Sequence, residues 1–252
     1  MENADPCILT VNGGSSSIKF AVYEANEPLK RVFSGTVERI GLPGANLTFR
    51  DPIRNLQDHV SINATDHRSA AASWIDWFEE RIGFASVKAV GHRVVHGMNY
   101  TDPQRVTQEL LDELHRISPY DPSHLPAEIE LIEAFRQRHP ALCQVACFDT
   151  AFHQTMPRVA RLLPIPRRFD AIGIRRYGFH GLSFAYLMGE LDRVAGTAAA
   201  QGRVVLPTLA MVRAWPPSAT GRVWTPAWAL RRRPDCRWVR DLVTSTPVLH
   251  GT

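Results

Sequence analysis

The run Cys7-Ile8-Leu9-Thr10-Val11-Asn12-Gly13-Gly14-Ser15-Ser16-Ser17-Ile18-Lys19-Phe20-Ala21-Val22 decides how the chain opens. An apolar run ends in Asn12-Gly13-Gly14 and three serines. Ile18, Phe20 and Val22 then alternate with Lys19, Ala21 and Tyr23. Period-two alternation on both sides of a Gly/Ser turn predicts strand, turn, strand. Two glycines let backbone N–H groups approach phosphate oxygens, serines add donors and a lysine adds charge. This is not a Walker A loop, because Lys19 falls in a strand and does not open a helix. A plain hairpin turn fits the same residues.

Outward from this hairpin, Arg31–Arg39 and Asn46–Arg50 read as further strands, so the opening is antiparallel. His67–Ile82 has Trp74, Ile75, Phe78 and Ile82 at helical spacing. Val87–Val95 is apolar and β-branched, as a buried strand requires. Val106–Ile117 reads as a helix with Leu110, Leu111 and Leu114 inward, and Ser118–Pro126 as a Pro-rich loop. Leu125–His139 reads as a helix before Pro140, Gln144–Phe148 as a strand and Ser183–Val194 as a helix. Arg203–Leu206 reads as the start of another strand. Strands first, then alternating helix and strand, predict α/β layers.

Three further clusters carry chemistry. In Gly91-His92-Arg93-Val94-Val95-His96-Gly97, an arginine among β-branched residues is costly to bury without an anion, and its planar fork suits a carboxylate. A structural ion pair is the plainer alternative. His92 and His96 stand four apart, but the glutamate of a zinc-protease helix is missing and the run reads as strand, so zinc is disfavoured. In Cys147-Phe148-Asp149-Thr150-Ala151-Phe152-His153, Asp149 follows an apolar strand, where open sheets place ligands. It suits holding Mg2+, orienting a nucleophile, or simply capping a helix. In Arg175-Arg176-Tyr177-Gly178-Phe179-His180-Gly181, a histidine at a turn beside two arginines suits the charge of a phosphoryl group in transfer, or is an exposed basic loop.

Taken in order, the strings VNGGSSSIKF, VGHRVVHG, CFDTAFHQTMP and RRYGFHGLS resemble the signature segments of the acetate kinase family, which belongs to the sugar kinase, heat-shock ATPase and actin superfamily. The resemblance covers Cys7–Leu206. It implies an α/β, ribonuclease H-like (actin-type ATPase) lobe with a mixed sheet, over residues 1–150, and the opening of a second lobe over 151–206. It also implies phosphoryl transfer from ATP to a short carboxylate, with Mg2+, in a cytoplasmic homodimer. Residue by residue, it implies Asn12 as metal-site asparagine, Lys19 with Ser15 and Ser17 as the phosphate loop, and Arg93 as substrate-carboxylate arginine. It implies Asp149 and His180 as catalytic. Met98 replaces a frequent second glycine, Leu182-Ser183-Phe184 replaces a frequent Thr-Ser-His, and His124-Leu125-Pro126 replaces an HNP or HQP loop. Acetate is the default acid, and propionate or another short acid stays open. A non-catalytic lobe that binds a ligand or partner is the rival reading.

The net charge of +4 over 252 residues suggests nucleic acid at first sight. However, Met1–Leu206 holds 22 basic and 23 acidic residues, whereas Pro207–Thr252 holds seven Arg, no Lys, two Asp and no Glu. The same tail has four of the six Trp and six of the 18 Pro. The basic balance therefore marks a composition break, and neither nucleic-acid nor membrane binding is expected. Met1–Pro6 is polar and acidic, unlike a signal peptide, and no run of apolar residues is long enough to span a bilayer. The four cysteines make no disulfide framework, which points to a reducing compartment.

The genetic code explains the break. Reading the third base of each codon with the next two bases, Met211 with Val212 must give Gly and Trp215 with Pro216 must give Ala. Trp224 with Thr225 must give Asp, and Trp228 with Ala229 and Trp238 with Val239 must each give Gly. Suitable third bases turn Pro207–Trp215 into H-L-G-N-G-A-S-L, Trp224–Ala229 into D-T-S-M-G, and Trp238–Val248 into G-T-R-S-G-D-L-D-P-G. These are the continuation the family would have. The expectation is one base lost, or two gained, near the Leu206–Pro207 junction. The chain would then be C-terminally truncated and out of frame over 207–252, without the family's second glycine-rich loop for ATP, and inactive by itself.

Overall fold

The computed structural model describes residues 5–206, and the out-of-frame reading of Pro207–Thr252 lies outside the described residues. The elements run β1 (Cys7–Gly13), β2 (Ser17–Glu24), β3 (Lys30–Glu38), β4 (Asn46–Asp51), β5 (Leu56–Ser61), α1 (His67–Arg81), β6 (Val87–Val94), β7 (Gln104–Arg105), α2 (Gln108–Ile117), α3 (Leu125–Arg138), β8 (Cys143–Phe148), α4 (Arg158–Arg161), α5 (Arg167–Ala171), α6 (Gly181–Ala195) and α7 (Thr197–Ala200). One mixed sheet has the order β5-β4-β3-β2-β1-β6-β8-β7. The first five strands form an antiparallel meander, β1, β6 and β8 run parallel, and β7 returns antiparallel.

The alternation read from the sequence sets the faces. Cys7, Leu9 and Val11 of β1 and Ile18, Phe20 and Val22 of β2 are buried, while Thr10 and Lys19 point the other way and are exposed. The buried face packs on α1 and α3 in one core with Trp74, Ile75, Phe78, Leu131 and Phe135. Each such side chain contributes about 1.5–3 kcal/mol on full burial. A second core joins α2, α3, β6 and β8 through Leu114, Ile117, Ile132, Val94 and Phe148.

Local signals set the helix starts. Asp66 accepts from Ser69 N at 2.7 Å while Asp66 N donates to Ser69 Oγ at 3.0 Å, a reciprocal capping box for α1. Thr107 caps α2 through Leu110 N at 3.3 Å. One strand is not anticipated by the pattern, and one expectation needs correction. Strand β5 escapes a pattern reading because all six of its residues are exposed, so it carries no apolar alternation. Arg203–Leu206 forms no strand. A strand exists only where a neighbour accepts its ladder, and none of the described strands pairs with this segment.

The described residues fall into two compact units. Residues 5–155 with Tyr177–Val204 form the larger one and Met156–Arg176 lies in the other. In the smaller unit, α4 and α5 are tied by Arg158–Asp170 at 3.1 Å, and Arg176 N donates to Arg161 O at 2.7 Å. No described helix is long and apolar enough to cross a membrane.

Candidate active site

The site grows from three strand ends of the larger unit. β1 and β6 are parallel neighbours with Val11 opposite His92, and β6 and β8 pair Arg93 with Cys147. Asn12, Arg93 and Asp149 therefore come to one end of the sheet, where parallel strands place ligand sites. Arg93 links the other two. Its Nη1 donates to Asn12 Oδ1 at 3.0 Å, and its Nε and Nη2 donate to Asp149 Oδ2 at 3.0 and 2.6 Å. Asp149 is fully buried, whereas the Arg93 side chain keeps 23% exposure. A guanidinium has five N–H donors. Those not spent on Asn12 and Asp149 remain available on the exposed side.

Asp149 is held from both ends. Its Oδ1 accepts from Leu182 N in the first turn of α6 at 3.2 Å. That bond requires α6 to start against the Asp149 backbone, and Gly181 makes the approach possible. A Cβ on Gly181 would collide with the Asp149 carbonyl oxygen and stand 2.7 Å from Phe152 Cβ. Just before it, His180 takes φ +59°, the left-handed region. Such a conformation is uncommon in a non-glycine residue.

Asn12, Lys19, Arg93, His180, Leu182 and Tyr186 line one open groove of about 1290 Å³ over the polar sheet face. Three cationic or donor side chains, Lys19, Arg93 and His180, thus share it with the Asn12 amide. Asp149 supports the groove floor through Arg93 and does not line it. Ser15, in the β1–β2 turn, and Ser17, the first residue of β2, lie outside the groove lining. There Gly14 N donates to Ser17 O at 2.7 Å, and the Ser15 carbonyl meets His67 Nε2 at 2.9 Å.

The histidines of the β6 segment have other tasks. His92 is buried, and desolvation pushes it down to about 4 despite its bond to Gln144. With its amide nitrogen toward His92, Gln144 donates to Nε2 at 2.8 Å and to Ile132 O at 3.2 Å, and accepts from Arg136 N at 3.2 Å. His92 therefore joins β6 to β8 and α3. Burial also lowers His96, partly opposed by Asp121, and its ring lies 4.5 Å from that of Tyr177. Gly97 N donates to Thr150 Oγ1 at 3.0 Å, which locks the loop after β6 to the segment after β8. Among the described residues no three His, Cys, Asp or Glu side chains cluster as a metal site.

Pattern reading of the sequence missed Glu128. It stands three residues after Leu125 and four before Ile132, on the buried stripe of α3, and is itself buried. A charged residue on an apolar stripe was the available signal.

A family model described as the acetokinase family matches residues 7–210. The chain belongs to the acetokinase family. It is 42% identical over 207 residues to the acetate kinase of Rhodopseudomonas palustris (strain TIE-1), covering 80% of this chain and 52% of that relative. It is 37% identical to the propionate kinase of Citrobacter rodentium, covering 79% and 50%. The crystal structure of Porphyromonas gingivalis acetate kinase superposes with a TM-score of 0.67 at 30% identity, over 76% of this chain and 49% of that one. The chain spans about half the length of the curated relatives it matches. Its mixed sheet with helices is the ribonuclease H-like, actin-type ATPase architecture that the sequence leads one to expect.

Proposed function

We propose that the protein descends from, and carries the acid-binding half of, an enzyme that phosphorylates a short carboxylate with ATP. The observation that carries this is the Arg93 guanidinium, braced on Asn12 and Asp149 and facing a groove shared with Lys19 and His180. Two anions must meet for this reaction, so cations and donors that offset their repulsion and hold an in-line geometry are what the chemistry demands.

In this reading Arg93 orients the carboxylate, and one of its oxygens attacks the γ-phosphorus. A new O–P bond forms, the bridging P–O bond breaks, and ADP leaves. Lys19 and the Ser15–Ser17 turn attract phosphate oxygens. His180 donates to the phosphoryl group in transfer. Asp149 holds Arg93 in place. Asn12 Oδ1 is a hard oxygen donor of the kind Mg2+ takes, and it lines the groove, so waters and substrate phosphates would complete the shell there. Mg2+ would supply charge neutralisation on the phosphates.

Acetate is the first-choice acid and propionate the second. We assign residues 1–150 to the first lobe, 151–206 to the opening of the second, and 207–252 to a shifted frame. A cytoplasmic homodimer is the family-level expectation, and nucleic acid and membranes are not partners in this reading. The 252-residue polypeptide by itself is expected to bind acetate without turning it over.

The test restores one base at the Leu206–Pro207 junction and assays acyl phosphate formation from ATP with acetate and with propionate. Formation by the restored protein, absent in the 252-residue chain, is the expected result. A restored, folded protein that phosphorylates neither acid would overturn the reading.

A further inference from the structure

Glu128 has no part in the phosphoryl-transfer scheme, yet it is 2% exposed and lies beneath the site. Its Oε2 accepts from Val95 N at 3.0 Å, one residue past the end of β6 and two past Arg93. Its Oε1 is buried without a hydrogen-bond partner among the described residues. A Cβ on Gly13 would lie 3.8 Å from Glu128 Cγ, so the same side chain also underlies the end of β1, next to Asn12. Glu128 thus holds the end of β6, from which Arg93 projects, and underlies the end of β1, which carries Asn12.

We propose that Glu128 is a positioning residue of this site, tying the first turn of α3 to the Val95 amide and so fixing the strand end from which Arg93 reaches Asn12 and Asp149. The inference takes from the proposed function only the consequence for anion binding. Volume alone would call for a leucine on this stripe, and the carboxyl group is there for the Val95 N–H. The groups facing it are Arg93 on β6, Asp149 after β8, and Asp121 before α3, which is itself bonded to His124 at 2.8 Å. Desolvation pushes Glu128 up to about 8, with Asp121 and Asp149 adding to it and the Val95 bond and Arg93 opposing. At neutral pH it is therefore an uncharged acid. The groove keeps its positive balance, and the bond to Val95 costs no second negative charge beside Arg93.

Two variants separate this role from packing. E128Q keeps a carbonyl oxygen for Val95, whereas E128L keeps volume and removes the acceptor. Hydrogen exchange by mass spectrometry, on dilute protein, reads the Val95 segment. The expected result is wild-type protection in E128Q and at least about tenfold faster exchange in E128L, the factor for one lost hydrogen bond. Retained protection in E128L, or lost protection in E128Q, overturns the proposal. If E128L does not fold, the E128Q result still decides.

Acetate titrated at pH 6.5 and 9.5 gives the second readout. Wild type should bind roughly tenfold more weakly at the higher pH, the factor for a coupling of one pKa unit, and E128Q should bind equally at both. The same pH dependence in E128Q overturns the electrostatic part. Wild type that binds no acetate at either pH overturns the proposed function instead, and the exchange result then decides Glu128 alone.

Discussion

Arg93 places two of its nitrogens on a single oxygen of Asp149, Nε at 3.0 Å and Nη2 at 2.6 Å, and leaves the other oxygen to the Leu182 amide. One carboxylate thereby couples the arginine on β6 to the start of α6. Breaking a buried pair by removing one partner costs about 3–5 kcal/mol, because the other charge stays buried. Here Arg93 remains partly exposed, so solvent screening lowers that cost. Asp149→Ala is expected to lose about 2–3 kcal/mol in urea unfolding. Arg93→Lys should weaken acetate binding strongly with a smaller stability loss, since an ammonium cannot reproduce the fork.

Gly181→Ala should be among the most damaging small substitutions. The added methyl meets backbone at Asp149 and the Phe152 side chain, and neither is the flexible end of a chain. Overpacking of this kind costs about 1–3 kcal/mol. Circular dichroism and urea unfolding should show a less stable protein with less helix.

His180→Gly should move stability the other way. A left-handed residue with a Cβ costs roughly 1–2 kcal/mol, and glycine removes most of that at an entropic cost in the unfolded chain. A rise of up to about 1 kcal/mol is expected in unfolding experiments. In the frame-restored enzyme the same change should remove turnover. Unchanged turnover would rule His180 out of the reaction.

Glu128 on one side and His92, with His96 lowered in the same direction, on the other make opposed contributions to the pH dependence. Glu128 is raised to about 8 in the fold from an ordinary 4.5. Between those values only the folded state holds its proton, so its contribution to stability is full below pH 4.5 and is lost as pH rises through 8. His92 is lowered from 6.5 to about 4. Its contribution is present above pH 6.5 and lost as pH falls through 4. The two slopes oppose each other between 4.5 and 6.5, and Glu128 acts alone from 6.5 to 8. Wild-type melting temperature should therefore fall across pH 6.5–8. In E128Q that fall should vanish and the rise from pH 4 to 6.5 should emerge.

α6 should limit solubility. Only Gly181 of its 15 residues is buried, and Leu182, Tyr186, Leu187 and Val194 are exposed. Tyr186→Glu with Val194→Lys should raise the soluble fraction at a fixed concentration and change stability by less than about 0.5 kcal/mol, as for ordinary surface sites. An unchanged soluble fraction would place the liability elsewhere.

Much of this molecule was legible in its residues. Alternation in Ile18–Val22 and helical spacing of Trp74, Ile75 and Phe78 report burial directly, because period two and period 3.6 are properties of the backbone. The site strings also carried their chemistry, since an arginine in a β-branched run and an aspartate after a strand are costly without partners. Codon arithmetic alone carries the proposal of a shifted frame near Leu206–Pro207. Local pattern could not say that Arg93 braces on both Asn12 and Asp149, that Ser15 and Ser17 stay outside the groove, or that the Glu128 carboxyl meets the Val95 amide. Those contacts join residues 33, 56 and 81 positions apart. Only parallel pairing of β1, β6 and β8, with α3 packed beneath, brings them together, and strand order is settled by the whole core and not by any segment of it.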